Sequence, residues 1–145
     1  MAKSLWEVIN STRRIDPSRY AYKISESRIS SFAYALAGLA FMFRWQRNVR
    51  LLTFITPIVI VVGLWLGISR LEWALTFVMI SMVWLAEFLN AGIEAAIDLA
   101  ANGQHHPMAK VGKDVAAAAV LLACLGSAVV GLLIFLGPLL DKLGV

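Results

Sequence analysis

Glu87-Phe88-Leu89-Asn90-Ala91-Gly92-Ile93-Glu94-Ala95-Ala96-Ile97-Asp98 closes an apolar run that opens at Leu71. At about 100° per residue, Glu87, Asn90, Glu94 and Asp98 share one narrow stripe of a helix. An acid at the centre of a bilayer costs about 3 kcal/mol or more, so it needs a partner or a task. A hydrogen bond to a neighbouring helix explains a single acid as well as function does. Four aligned polar groups favour function.

Working outward, the composition places the rest of the chain. The 145 residues are 60% hydrophobic and only 15% charged, which excludes an ordinary soluble domain and indicates a bilayer. The net charge of +4 does not call for nucleic acid, because the basic residues sort by membrane side instead. The lone Cys124 cannot form a disulfide within the chain, and inside an apolar run it reads as a packed thiol. The start, Met1-Ala2-Lys3-Ser4-Leu5-Trp6-Glu7, is too polar for a signal peptide, so the first span is expected to act as its own insertion signal.

Residues 1–27 read as a polar cytosolic extension with room for one short helix, and 28–138 as a membrane domain. Within that domain, Phe32, Leu36, Leu39 and Phe43 recur at helical spacing over 28–50, and Arg44, Arg47 and Arg50 close the segment. This is the pattern of an amphipathic helix lying in the interface. Its arginine-rich tail suits lipid phosphates or another polyanion. Spans follow at about 51–68, with Pro57 in its second turn, at 71–101 and at 115–136. The expected fold is all-α, with three transmembrane helices and one interfacial helix.

The second span is longer than a hydrocarbon core of about 30 Å, so its end must protrude. Glu87 then lies just inside the apolar boundary, and Glu94 and Asp98 among the head groups. The loop Asn102-Gly103-Gln104-His105-His106-Pro107 follows, and Met108 to Asp114 restarts a helix. Small residues in the third span (Gly126, Ser127, Ala128, Gly131) allow close helix approach, centrally or between subunits. Gly137-Pro138 is expected to end that span. Eleven of the thirteen Lys and Arg residues precede Leu51 or lie in 102–114. The positive-inside rule therefore puts the N-terminus and that loop in the cytosol.

One end of the bundle thus carries Glu87, Asn90, Glu94, Asp98, His105, His106, Lys113 and Asp114. Carboxylates with an amide suit Mg²⁺, which takes few protein ligands and shares phosphates and water. Lys113 suits a phosphate. A poorly hydrated carboxylate such as Glu87 is a stronger base toward an alcohol. These parts match phosphoryl transfer, although the chain contains neither soluble-kinase glycine loop. Adjacent His105 and His106, without a nearby cysteine, are poor zinc ligands.

Glu87-x-x-Asn90-x-x-x-Glu94-x-x-x-Asp98, then His105-His106-Pro107-Met108-Ala109-Lys110, then Lys113-Asp114, resembles the bacterial diacylglycerol kinase family. The His-His-Pro form and Leu71-Glu72-Trp73 look most like its undecaprenol kinase branch. The resemblance runs from about Phe32 to Leu136. It implies a homotrimeric membrane enzyme with active sites shared between neighbouring subunits at the cytosolic face of the bacterial inner membrane. Such enzymes move the γ-phosphoryl of Mg-ATP to a lipid alcohol, undecaprenol or diacylglycerol.

By the same resemblance, Glu87 matches the catalytic base and Glu94 a metal-binding glutamate. Asn90 and Asp98 support them. Lys113 and Asp114 hold ATP, with Gln104, His105, His106 and Tyr34 also touching nucleotide. Many members carry a second metal-binding glutamate at the end of the interfacial helix. Here that position is Gln46, which offers a carbonyl oxygen without charge. The competing reading is a non-enzymatic oligomeric channel or scaffold, for which the stripe is a cation path or a hydrogen-bonded seam. Such a protein has no evident use for Lys113-Asp114 beside His105-His106.

Overall fold

The computed structural model describes residues 28–145, so the N-terminal extension lies outside the described residues. It is helical throughout: α1 (Arg28–Trp45), α2 (Arg47–Leu66), α3 (Arg70–Ala101) and α4 (Pro107–Leu143). Three of these, α2, α3 and α4, are long and apolar enough to cross a membrane. The chain divides into two compact units between Leu39 and Ala40. In the first, the described part of α1 exposes Phe32, Tyr34 and Leu36, all of them apolar or amphipathic.

The second unit holds the spans. The first boundary differs from expectation: the segment 28–50 is not one helix. It breaks at Gln46, whose backbone is extended (φ −89°, ψ 116°), and Arg47 already starts α2. Arg50 holds the break by donating from Nη1 to the Arg44 carbonyl at 2.7 Å, which satisfies an orphan acceptor at the end of α1. Three arginines read from spacing as one basic tail therefore fall on two helices.

Gly67, in the left-handed region at φ 74°, ends α2 and returns its N–H to the Gly63 carbonyl. Ser69 then caps α3 in a reciprocal pair with Glu72. Trp73 lies over Gly63 so closely that an added Cβ there would stand 2.9 Å from the ring. Around this turn sits the small core: Leu66, Ile68 and Ile134, with Val62, Trp73, Val130, Phe135 and Leu139 against them.

At 1.5 Å per residue, the 32 residues of α3 run about 48 Å without interruption. Asn102 (φ 47°) and Gly103 (φ 75°) turn the chain in left-handed geometry. Pro107 opens α4, where its missing N–H costs nothing, and the His106 Nδ1 accepts from the Met108 N–H at 3.2 Å.

The restart at 108–114 and the span at 115–136 are one helix, which runs through Pro138 to Leu143. Proline removes the donor to the carbonyl four residues back, a loss that packed membrane helices absorb. Core residues Ile134, Phe135 and Leu139 flank the site. The small positions Gly126 and Gly131 meet nothing within 4 Å, so within the chain they do not admit a neighbour. Cys124, expected to be packed, is exposed.

Candidate active site at the end of the third helix

The stripe on α3 is real in three dimensions, and each member reaches a different partner. Glu87 is the deepest and only 7% exposed. Its Oε1 accepts from Asn48 Nδ2 at 2.9 Å, across 39 residues of sequence. Asn48 lies in the first turn of α2, immediately after the break at Gln46. That helix start places free backbone N–H groups and the positive end of the α2 dipole on the side from which Glu87 is held.

One turn further, Asn90 Nδ2 donates to Glu94 Oε1 at 3.1 Å. The Asn90 Oδ1 is buried with no hydrogen-bond partner. An orphaned carbonyl oxygen beside a carboxylate is a donor set for a hard cation, and Mg²⁺ needs only one or two protein oxygens when phosphates and water supply the rest. The residues therefore fit the ion. Among the described residues no group of three or more His, Cys, Asp or Glu side chains is gathered for a metal. Glu94 has Asn90 as its hydrogen-bond partner, and Gln46 sits on the α1–α2 break.

Further along, Asp98 leaves the Glu87–Glu94 group. Its Oδ1 pairs with Lys113 Nζ at 2.5 Å and so ties the end of α3 to the start of α4. A second pair, Lys110 Nζ to Asp114 Oδ2 at 2.5 Å, lies one turn apart on α4. Both are solvent-exposed, so each contributes less than about 1 kcal/mol and yields readily to a phosphate. Gly112 brings the two helices together here: an added Cβ would stand 2.7 Å from Ile97 Cδ1.

These ends enclose a cleft of about 730 Å³ lined by Asp98, Gln104, His105, His106, Lys110, Lys113 and Asp114, among others. Five residues expected at a nucleotide site (Gln104, His105, His106, Lys113 and Asp114) are thus gathered by one loop and one helix start. The sixth, Tyr34, lies exposed on α1. Sequence reading missed two residues. Asn48 stands between Arg47 and Arg50 in the arginine-rich tail, and Lys110 within the loop motif. Their partners are set by tertiary contact and by helical spacing respectively.

On the membrane side of Glu87, Trp84 donates from Nε1 to Thr56 Oγ1 at 3.1 Å. Its ring lies 5.8 Å from Phe43 and 6.3 Å from Phe88. This polar–aromatic layer joins α2 to α3 just where the sequence turns from apolar to acidic.

A family model described as prokaryotic diacylglycerol kinase matches residues 33–135. A diacylglycerol kinase from Synechocystis is 36% identical over 121 residues, covering 83% of this chain and 69% of that protein. An undecaprenol kinase from Bacillus subtilis is 37% identical over 109 residues, 75% of this chain and 88% of the relative. A diacylglycerol kinase from Pseudomonas aeruginosa is 32% identical over 110 residues, 75% and 89% respectively.

Fold, site and relatives together define a membrane lipid kinase, an ATP-dependent phosphotransferase with a lipid alcohol as acceptor. The chain belongs to the prokaryotic diacylglycerol kinase family. The channel or scaffold reading falls with that membership.

Proposed function

We propose that the chain phosphorylates undecaprenol, with Glu87 as the base. The observation that carries this reading is a nearly buried carboxylate on α3, held by Asn48, about three turns from a cleft containing two lysines. In the reaction, Glu87 takes the proton of the lipid hydroxyl. The hydroxyl oxygen bonds to the γ-phosphorus of ATP, and the bond from that phosphorus to the β–γ bridging oxygen breaks. ADP leaves with the electron pair. Lys113 steadies the phosphates after exchanging its Asp98 partner for them, and Asp114, Gln104, His105 and His106 complete the nucleotide contacts.

Glu94 and the Asn90 carbonyl would hold Mg²⁺, with Gln46 as an uncharged additional ligand. The ion neutralises phosphate charge when bound. The site lies at the cytosolic face of the bacterial inner membrane, on the strength of the lysine and arginine distribution. Many large apolar side chains stay exposed on the spans, and Gly126 and Gly131 face open space. Both features leave surface for lipid or further copies in the bilayer, and the family resemblance makes that assembly a homotrimer.

Undecaprenol is preferred over diacylglycerol because of His105-His106-Pro107 and Leu71-Glu72-Trp73, while relatives bear both names. The test is a kinase assay with Mg-ATP and each alcohol in detergent micelles. Faster phosphate transfer to undecaprenol is expected. Preference for diacylglycerol overturns the substrate and leaves the mechanism standing.

A further inference from the structure

We infer that Asn48 is a positioning residue for the base: it fixes which oxygen of Glu87 faces the lipid hydroxyl. The inference rests on Glu87 being that base, and it adds a residue from a different helix to the site.

A carboxylate on a helix has several rotatable bonds, and each of its oxygens can face the acceptor. Alignment of the reacting atoms accounts for much of the rate in transfers of this kind. Here Oε1 is occupied by the Asn48 amide at 2.9 Å, which leaves Oε2 as the oxygen open to a proton. Glu87 is 7% exposed, so water offers little competition for either oxygen. A buried acceptor held by a single donor loses its desolvation compensation when that donor is removed.

Asn48 is suited to the task by its place in the chain. The break at Gln46 sets the start of α2, and Arg50 fixes that break through the Arg44 carbonyl. Asn48 is thus in the first turn, where its side chain has no preceding helical turn to pack against. An amide is also the appropriate group there. It donates without carrying a charge, so it orients the carboxylate without neutralising it as lysine or arginine would. Substituting Asn48 should therefore damage the proton-transfer step and leave the nucleotide cleft, which lies on other elements, intact.

The experiment measures kcat and KM for ATP with undecaprenol and with an acceptor lipid whose hydroxyl is acidified by neighbouring fluorine. Asn48→Ala is expected to lower kcat about 10- to 100-fold with undecaprenol while KM for ATP stays within about twofold. The defect should shrink at least severalfold with the fluorinated acceptor, because a more acidic alcohol needs its base less. Asn48→Asp keeps the shape, removes the donor and sets a second carboxylate against the first. It should be at least as impaired as Asn48→Ala, and it remains informative if the alanine variant does not fold.

A wild-type kcat in either variant overturns the inference, as does a loss equal for both acceptors or one confined to KM. Glu87→Gln, measured alongside, separates the two levels. If Glu87→Gln is inactive and Asn48→Ala is not impaired, only the positioning role fails. If Glu87→Gln is fully active, the base assignment itself fails.

Discussion

At the scale of single residues, position along α3 separates the surroundings of four polar side chains. Glu87 is enclosed and held by one amide, Glu94 shares an amide with an orphaned carbonyl oxygen, and Asp98 is exposed and paired with a lysine. We expect Glu87→Gln and Glu94→Gln each to lower kcat at least about 100-fold in the lipid kinase assay. The two losses should differ in kind. Raised Mg²⁺ should recover part of the Glu94→Gln activity and none of the Glu87→Gln activity; identical magnesium responses would count against separate roles. The stripe was legible from residue type and helical period. What each member touches was not, because Asn48 and Lys113 are brought in by other helices. Asp98 shows the limit: by period it belongs with Glu94, whereas its ion pair puts it with the cleft between the ends of α3 and α4.

At the scale of elements, the spans were legible and their ends were less so. Long apolar runs bounded by charge fixed α3 almost to the residue. The break at Gln46 was hidden because no glycine or proline marks it; it is held by a long-reaching arginine on the following turn. The end of α4 was misplaced because proline in a packed membrane helix does not stop it.

The same contacts rank the glycines. At Gly63 a new methyl would meet the rigid ring of Trp73, and at Gly112 only the mobile end of Ile97. Gly63→Ala should therefore destabilise the protein by about 1–3 kcal/mol, while Gly112→Ala should cost distinctly less. Thermal melting in detergent distinguishes them, and an equal loss at both positions would contradict the close approach seen at the α2–α3 turn.

At the scale of the whole molecule, the chain buries little of its own apolar surface. Its one cluster of buried apolar residues lies at the α2–α3 turn and the later part of α4, with Met42, Val49, Val83 and Ala116 buried singly among the described residues. The remainder must meet lipid or further copies. The sharing of active sites between chains that the family resemblance implies makes a sharp prediction: inactive Glu87→Gln and inactive Lys113→Ala chains, mixed and reassembled in detergent, should regain a measurable fraction of activity. No recovery in demonstrably mixed oligomers would place each site within one chain.

The unbroken course of α3 has a further consequence, for which sequence changes this enzyme tolerates. Between Glu87 and Asp98 there is no bulge, proline or turn to absorb an inserted residue. One extra residue there would rotate everything beyond it by about 100° and advance it by about 1.5 Å, so Glu87 and the cleft would face different directions. The loop at 103–105 has irregular backbone on which an added residue can be spread. A single-alanine insertion after Ile93 should thus abolish activity, while one after Gln104 should leave a substantial fraction. Spacing along α3 is in effect a fixed gauge, and lengthening or shortening of this chain over generations should be found outside it.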